Sequence, residues 1–297
     1  MYQALSVPKN QDLQPFDRLL SAAGIPHRIS EEGERQLVWV RSAQEAAMVT
    51  SLYERYQAGE LPQIPASGPT GAGSGFEAGL KLALRISPLT MGILILMLLF
   101  YPATWVEDNG DFGSLFYAMT IVPFEVSGNS LRFPGLLMNL QTGELWRYLS
   151  PVLLHFGMLH LVFNSLWFYT LGQKLELKAG RLWLLAVIGI SGLASNILQF
   201  MLAENPLFGG MSGVIYGLVG MAMVLMRMAP ERDIGLPQSI YWFMLGFLAF
   251  GFTGLFDMLG LGSLANWAHL GGLVAGFLTG VLMVLLQRLQ TGSKPIS

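Results

Sequence analysis

Residues 208–220 read FGGMSGVIYGLVG, a stretch apolar enough for a membrane-spanning helix yet carrying Ser212 among Gly209, Gly210, Gly213 and Gly217. A second stretch, 268–276, reads AHLGGLVAG, and small residues recur there at Ala268, Gly272, Gly276 and Gly280. Small residues at every fourth position let helix backbones approach closely in lipid. Ser212 adjoins one such face and His269 the other. Packing the two helices through these faces brings a hydroxyl to an imidazole, the arrangement an activated serine nucleophile needs. The same residues also fit a plainer reading, in which the serine bonds its own backbone and the histidine is a satisfied polar group or a proton site.

Composition sets the frame. The chain has 297 residues, 53% hydrophobic and 12% charged, with a mean hydropathy of +0.50. That is too apolar for a soluble domain of this length and implies a polytopic α-helical membrane protein. A net charge of −2 without a local Lys/Arg cluster gives no field for nucleic acid, so no nucleic-acid partner is expected. Cysteine is absent, which excludes disulfides, thiolate catalysis and Cys-ligated metal. The first twenty residues are mixed polar sequence, so no cleavable signal is expected and insertion falls to the first spanning helix.

Residues 1–58 read as a small cytoplasmic α/β unit of βαββα order: strands near YQALSV, PHRIS and RQLVWVRS, with helices over DLQPFDRLLSAAG and AQEAAMVTSLYERYQ. Residues 59–80, rich in Pro, Gly, Ser and Ala, read as a flexible linker. Residues 81–290 form the membrane domain, and 291–297 a cytoplasmic tail. Six apolar stretches lie within it, at roughly 86–105, 148–173, 182–202, 209–226, 239–256 and 264–286, each near the ~20 residues a crossing helix requires. Nine Lys/Arg flank them on one side against Arg132 and Arg147 on the other, so both termini are expected in the cytoplasm. The loop 106–147 is too interrupted by Pro and Gly to span and too apolar to float in water, which suits a partly helical segment lying against the outer leaflet.

Polar residues inside spans are functional candidates. His160 and Asn164 share a helical face at i, i+4, and an imidazole N–H, an amide and the Ser212 backbone N–H could together face a developing oxyanion. Without Ser212 and His269 they would read as polar contacts between helices. No carboxylate lies mid-span, which argues against a Ser-His-Asp triad, so His269 needs another support; Tyr216, one turn after Ser212, could stack on it. Ser191, Ser195 and Gln199 could line a wet cavity with His155, or serve as helix contacts.

These pieces together resemble the rhomboid intramembrane serine proteases, in the bacterial six-helix branch with a cytoplasmic amino-terminal domain. The matching residues are Trp146 and Arg147, HFGMLHLVFN over 155–164, GGMSGVIYG around Ser212, and AHLGGLVAG over 268–276, in the family's order. The resemblance covers about 80–290. It implies Ser212 as nucleophile, His269 as base without an acid, Tyr216 stacked on that base, and an oxyanion site of His160, Asn164 and the Ser212 backbone, with Gly210 and Met211 beside it. It also implies that Trp146 and Arg147 stabilise the first loop, although an interfacial Trp with a snorkelling Arg would read the same. Phe163 and Phe250 fall where a lateral gate would stand.

The expected function is hydrolysis of peptide bonds in or near transmembrane segments of protein substrates, in a bacterial inner membrane, with no metal or organic cofactor. Substrates need helix-weakening residues, because helical carbonyls are already hydrogen-bonded. Two other readings stay open: a non-catalytic membrane chaperone that binds transmembrane helices, and a transporter using histidines as a relay. The cytoplasmic unit leaves a homodimer or a recruited partner open.

Overall fold

The structure is a computed structural model and describes residues 1–61, 72–106, 112–127, 130–203, 207–258 and 264–292. The chain divides into two compact units, Met1–Met91 and Gly92–Ser297. In the first, β1 (Tyr2–Pro8), α1 (Gln14–Ala22), β2 (His27–Glu32), β3 (Arg35–Val40) and α2 (Ala43–Gln57) follow in order. The sheet is antiparallel in the order β1-β3-β2, and Leu5, Val38 and Ile29 lie abreast on the face that carries fully buried Val38 and Val40. Phe16, Leu19 and Leu20 of α1 and Val49, Leu52 and Tyr53 of α2 fill this small core, at the three- and four-residue steps that keep side chains on one helical face. Gly24, at φ 66°, ends α1, and Ser42 caps α2 by accepting the Glu45 N–H at 3.1 Å.

Part of the stretch read as linker is helical: α3 runs Ala72–Ile86, while 62–71 lie outside the described residues, as do 293–297 of the tail. Pro88 then opens α4 (Pro88–Phe100), since a residue without an N–H suits a helix's first position.

The second unit continues with a 3-10 turn (Tyr101–Thr104), α5 (Ser114–Met119), the hairpin β4 (Glu125–Ser127) and β5 (Ser130–Arg132), and α6 (Leu137–Thr142). This loop carries its own core: Phe116 packs with Ala103, Met119 and Leu154, and Ile121 and Val122 pack with Phe208. Leu137, Leu140 and Trp146 stay exposed, an apolar surface suited to lipid. Beyond come α7 (Met158–Lys178), α8 (Arg181–Leu202), α9 (Ser212–Met228), α10 (Gln238–Gly251), the single turn α11 (Leu255–Met258) and α12 (Asn266–Gly292).

The second apolar stretch departs from its expected bounds. Residues 145–153 form two short 3-10 turns, and the α-helix starts only at Met158. Pro151 has no N–H for a helical ladder, and Gly157 sits at φ 112°, so the chain turns before it coils. His155 therefore stands in that turn and not on a spanning helix.

Residues Gly213 to Ala222 of α9 are buried without interruption, so this helix is enclosed on all sides. Large apolar residues project outward from its neighbours: Leu159, Phe163 and Leu166 on α7, Leu182 on α8, Trp242 and Phe243 on α10, Leu278 and Leu289 on α12. Among the described residues, Arg181–Leu202 and Asn266–Gln290 are long and apolar enough to cross a membrane, and a bent pair, Gly79–Ile86 with Pro88–Thr104, qualifies as a third. The apolar helices α9 and α10 are shorter.

Candidate active site

Two glycine faces set the geometry. A Cβ added at Gly272 would strike the Gly213 carbonyl oxygen, and one at Gly276 the carbonyl oxygen of Gly217. Helices α9 and α12 thus touch backbone to backbone, closer than any larger side chain allows. Ser212 opens α9 and His269 is the fourth residue of α12, so the close crossing sets their side chains together. His269 Nε2 lies 2.8 Å from Ser212 Oγ. The serine is partly open, while His269 is buried and its Nδ1 has no hydrogen-bond partner among the described residues. The Tyr216 ring stacks on the imidazole with centroids 4.7 Å apart and planes at 29°, and its hydroxyl donates to the Met244 carbonyl of α10 at 2.9 Å.

The third helix of this cluster is α8. Ser195 lies against Gly213 and Ser191 against Gly217. Ser195 Oγ donates to the carbonyl oxygens of Ser191 and Gly192, and Gln199 Oε1 accepts the Ala268 N–H at 3.0 Å, holding the first turn of α12. Ser195 and Gln199 thus serve as helix contacts, while the Ser191 Oγ is buried without a hydrogen-bond partner among the described residues.

On the other side of Ser212, residues 208–211 cross over the segment before α7. Gly210 N–H donates to the Pro151 carbonyl at 2.9 Å. Gly210 sits at φ 123°, and a Cβ there would stand 2.7 Å from His160 Nε2. Only glycine lets the imidazole lie this close upstream of the serine. Asn164 is buried one turn further along α7, with its Nδ2 donating to the His160 carbonyl at 2.9 Å; an amide nitrogen has a second N–H to offer.

Trp146 Nε1 donates to the Ala118 carbonyl at 3.1 Å. Arg147 is buried, donates to the Tyr117 and Thr120 carbonyls at 2.7 and 3.2 Å, and pairs with Glu144 at 3.0 Å. It ties α5 to the turn before α7, which a snorkelling arginine would not do. The hydrogen bond from Arg147 holds the Glu144 carboxyl below its ordinary range. Phe163 and Phe250 are both exposed, and the ring contact between α7 and α10 is Trp167 with Phe243, at 6.5 Å. Sequence reasoning also missed Asn266, whose Nδ2 donates to the Gly251 carbonyl at 2.7 Å and joins the end of α10 to the start of α12. The available signal was an Asn three residues before His269, where helix starts favour that residue.

The arrangement is that of a hydroxyl whose proton can pass to an imidazole nitrogen, with two polar side chains nearby and no carboxylate at hydrogen-bond distance from the imidazole among the described residues. Comparison with known proteins agrees with this chemistry. The Rhomboid domain family matches residues 142–286, and the Rhomboid N-terminal domain family matches 1–66. The chain is 32% identical over 294 residues to the Rhomboid protease GlpG of Serratia proteamaculans, covering 94% of this chain and 95% of that protein. It is 31% identical over 263 residues to the Rhomboid protease GlpG of Photorhabdus laumondii, covering 84% of each. Against that of Yersinia pestis the identity is 40% over 135 residues, 46% of this chain and 47% of the relative.

Proposed function

The chain belongs to the rhomboid family and is an intramembrane serine protease, and from that premise we propose that Ser212 is its nucleophile and His269 its general base. The observation that carries this assignment is the 2.8 Å contact between Ser212 Oγ and His269 Nε2. As Oγ attacks the scissile carbonyl carbon, its proton passes to Nε2, the new oxyanion forms, and the imidazolium returns the proton to the leaving amine. Water then attacks the acyl-enzyme with His269 again as base. The Tyr216 ring covers one face of the imidazole and keeps its plane. The oxyanion donors in this reading are the Ser212 N–H at the start of α9, where the helix dipole adds positive potential, the His160 imidazole, and the second N–H of Asn164. Trp146 and Arg147 hold the outer loop in place, and Gly210 and Met211 carry the approach to the serine.

We read the membrane domain as six crossings with both termini in the cytoplasm of a bacterial inner membrane, and residues 1–58 as a cytoplasmic α/β domain. With its 17 residues, α9 rises about 25 Å, several ångströms short of the ~30 Å hydrocarbon core. Anchored at its cytoplasmic end, such a helix leaves Ser212 below the outer surface. A substrate helix must unwind there, which favours substrates with Gly or Pro in or near the span.

The test is cleavage of a model transmembrane substrate in liposomes by wild type, Ser212→Ala and His269→Ala, with fluorophosphonate labelling of the same samples. Wild type is expected to cut and label, and both variants to do neither while folding normally. Cutting that survives Ser212→Ala overturns the nucleophile; an intact wild type that neither cuts nor labels returns the chain to a helix-binding role.

A further inference from the structure

His155 is fully buried, so it cannot touch a substrate, yet both of its ring nitrogens are engaged. Nδ1 lies 3.0 Å from the Leu153 carbonyl oxygen, which can only accept, so Nδ1 carries the proton. Nε2 is then a lone pair, and the Met211 N–H points at it from 3.4 Å. One neutral tautomer satisfies both contacts; an imidazolium would set N–H against N–H. The residue's own carbonyl is held as well, accepting the Thr104 hydroxyl at 2.7 Å.

Met211 is the residue before Ser212. Its N–H rests on His155, while its carbonyl already accepts the Ile215 N–H at 2.9 Å as the first bond of α9. One residue earlier, Gly210 N–H rests on the Pro151 carbonyl. Two successive N–H groups are thus fixed by the turn before α7, and the next N–H in the row is that of Ser212. The His155 ring also lies 5.1 Å from the His160 ring, behind the other donor on this side.

From these contacts we infer that His155 is a positioning residue for catalysis: its Nε2 anchors the Met211 N–H and so aims the Ser212 N–H at the oxyanion. This rests on the reading of Ser212 as nucleophile. It gives the buried histidine a task distinct from lining a wet cavity.

The experiment compares full-length His155→Leu, which keeps bulk without an acceptor, with His155→Gln, whose Oε1 can reach the Nε2 position. Substrate cleavage gives kcat and KM, fluorophosphonate labelling gives the reactivity of Ser212, and thermal unfolding reports the fold. His155→Leu is expected to lower kcat and the labelling rate together by about 10- to 100-fold, below the loss typical of deleting an oxyanion donor outright, with KM within about twofold. His155→Gln is expected to recover at least several-fold of both. If the leucine variant does not fold, His155→Asn takes its place, since it keeps a donor for Leu153 and lacks an acceptor at Met211. A folded Leu or Asn variant that cuts and labels like wild type overturns the inference, as does a Gln variant no faster than it, or a change confined to KM. Should Ser212→Ala still cut, the nucleophile reading fails instead, whatever His155 does.

Discussion

The two units use their histidines differently. In the amino-terminal unit, His27 sets both ring nitrogens against oxygen atoms, the Ile25 carbonyl at 2.8 Å and the Asp17 carboxylate at 2.7 Å. Asp17 is half exposed, so water shares in stabilising that pair. In the helical unit, His155 faces one acceptor and one donor, and His269 faces a hydroxyl with its other nitrogen unpartnered among the described residues. Among the described residues, no carboxylate stands at hydrogen-bond distance from either of them. Where water is close a fold can use charge to tie strand to helix, whereas in lipid a charge is costly and neutral dipoles must be matched one by one. In the second arrangement a neutral His269 can turn the lone pair of Nε2 to the Ser212 hydroxyl and take its proton there.

The contrast is broken most directly by comparing His269→Ala with His27→Ala. The first is expected to lower cleavage by at least about 10⁴-fold, as loss of a triad histidine does in other serine hydrolases, and the second to leave it within about threefold. Equal losses in one assay would show that the α/β unit takes part in turnover. The glycine crossing comes next. Gly276→Val places side-chain carbons against the Gly217 carbonyl and is expected to cost about 3 kcal/mol or more, read as a large fall in the thermal unfolding midpoint. A normal midpoint would show that α9 and α12 can separate without penalty.

Tyr216→Phe keeps the ring over His269 and removes the bond to Met244; the expected cost is about 1 kcal/mol in stability, with cleavage retained within several-fold. Tyr216→Leu should lose more activity than stability if the stacking orients the base. A pH measurement sharpens the comparison from the loop. The Glu144 carboxyl is depressed by its hydrogen bond from Arg147, so its contribution to stability is present above the ordinary carboxylate range and is lost as pH falls through the depressed value. Glu144→Gln is expected to flatten that acid limb of the unfolding curve. The smallest effect is expected from deleting residues 1–61: near-wild-type kcat on a model substrate in detergent, checked by the same cleavage assay.

Much of the membrane domain was legible from spacing. Small residues at 268, 272, 276 and 280 announced the crossing with α9, and because backbone contact leaves little freedom of depth or rotation, the same spacing pointed Ser212 toward His269. The buried polar row of Ser191, Ser195 and Gln199 was visible as i, i+4 steps, but its direction was not: Ser195 and Gln199 bond backbone atoms of α8 and α12, while the Ser191 hydroxyl has no partner among the described residues, and hydropathy records neither. Apolar residues over 148–157 read as helix, because an apolar run looks the same in a spanning helix and in a packed turn. Pro151 and Gly157 were the local warning.

By itself the sequence determined what is periodic or compositional: a membrane protein, the faces through which its helices meet, the serine and histidine beside those faces, and the family whose motifs they match. Only the tertiary structure decided which atom meets which. That Asn164 donates to the His160 carbonyl, that Asn266 joins α10 to α12, and that His155 Nε2 receives the N–H of the residue before Ser212 all follow from chain segments brought together in space. A hydrogen bond depends on a few tenths of an ångström and on the direction of a single proton, and neither is encoded in spacing along the chain.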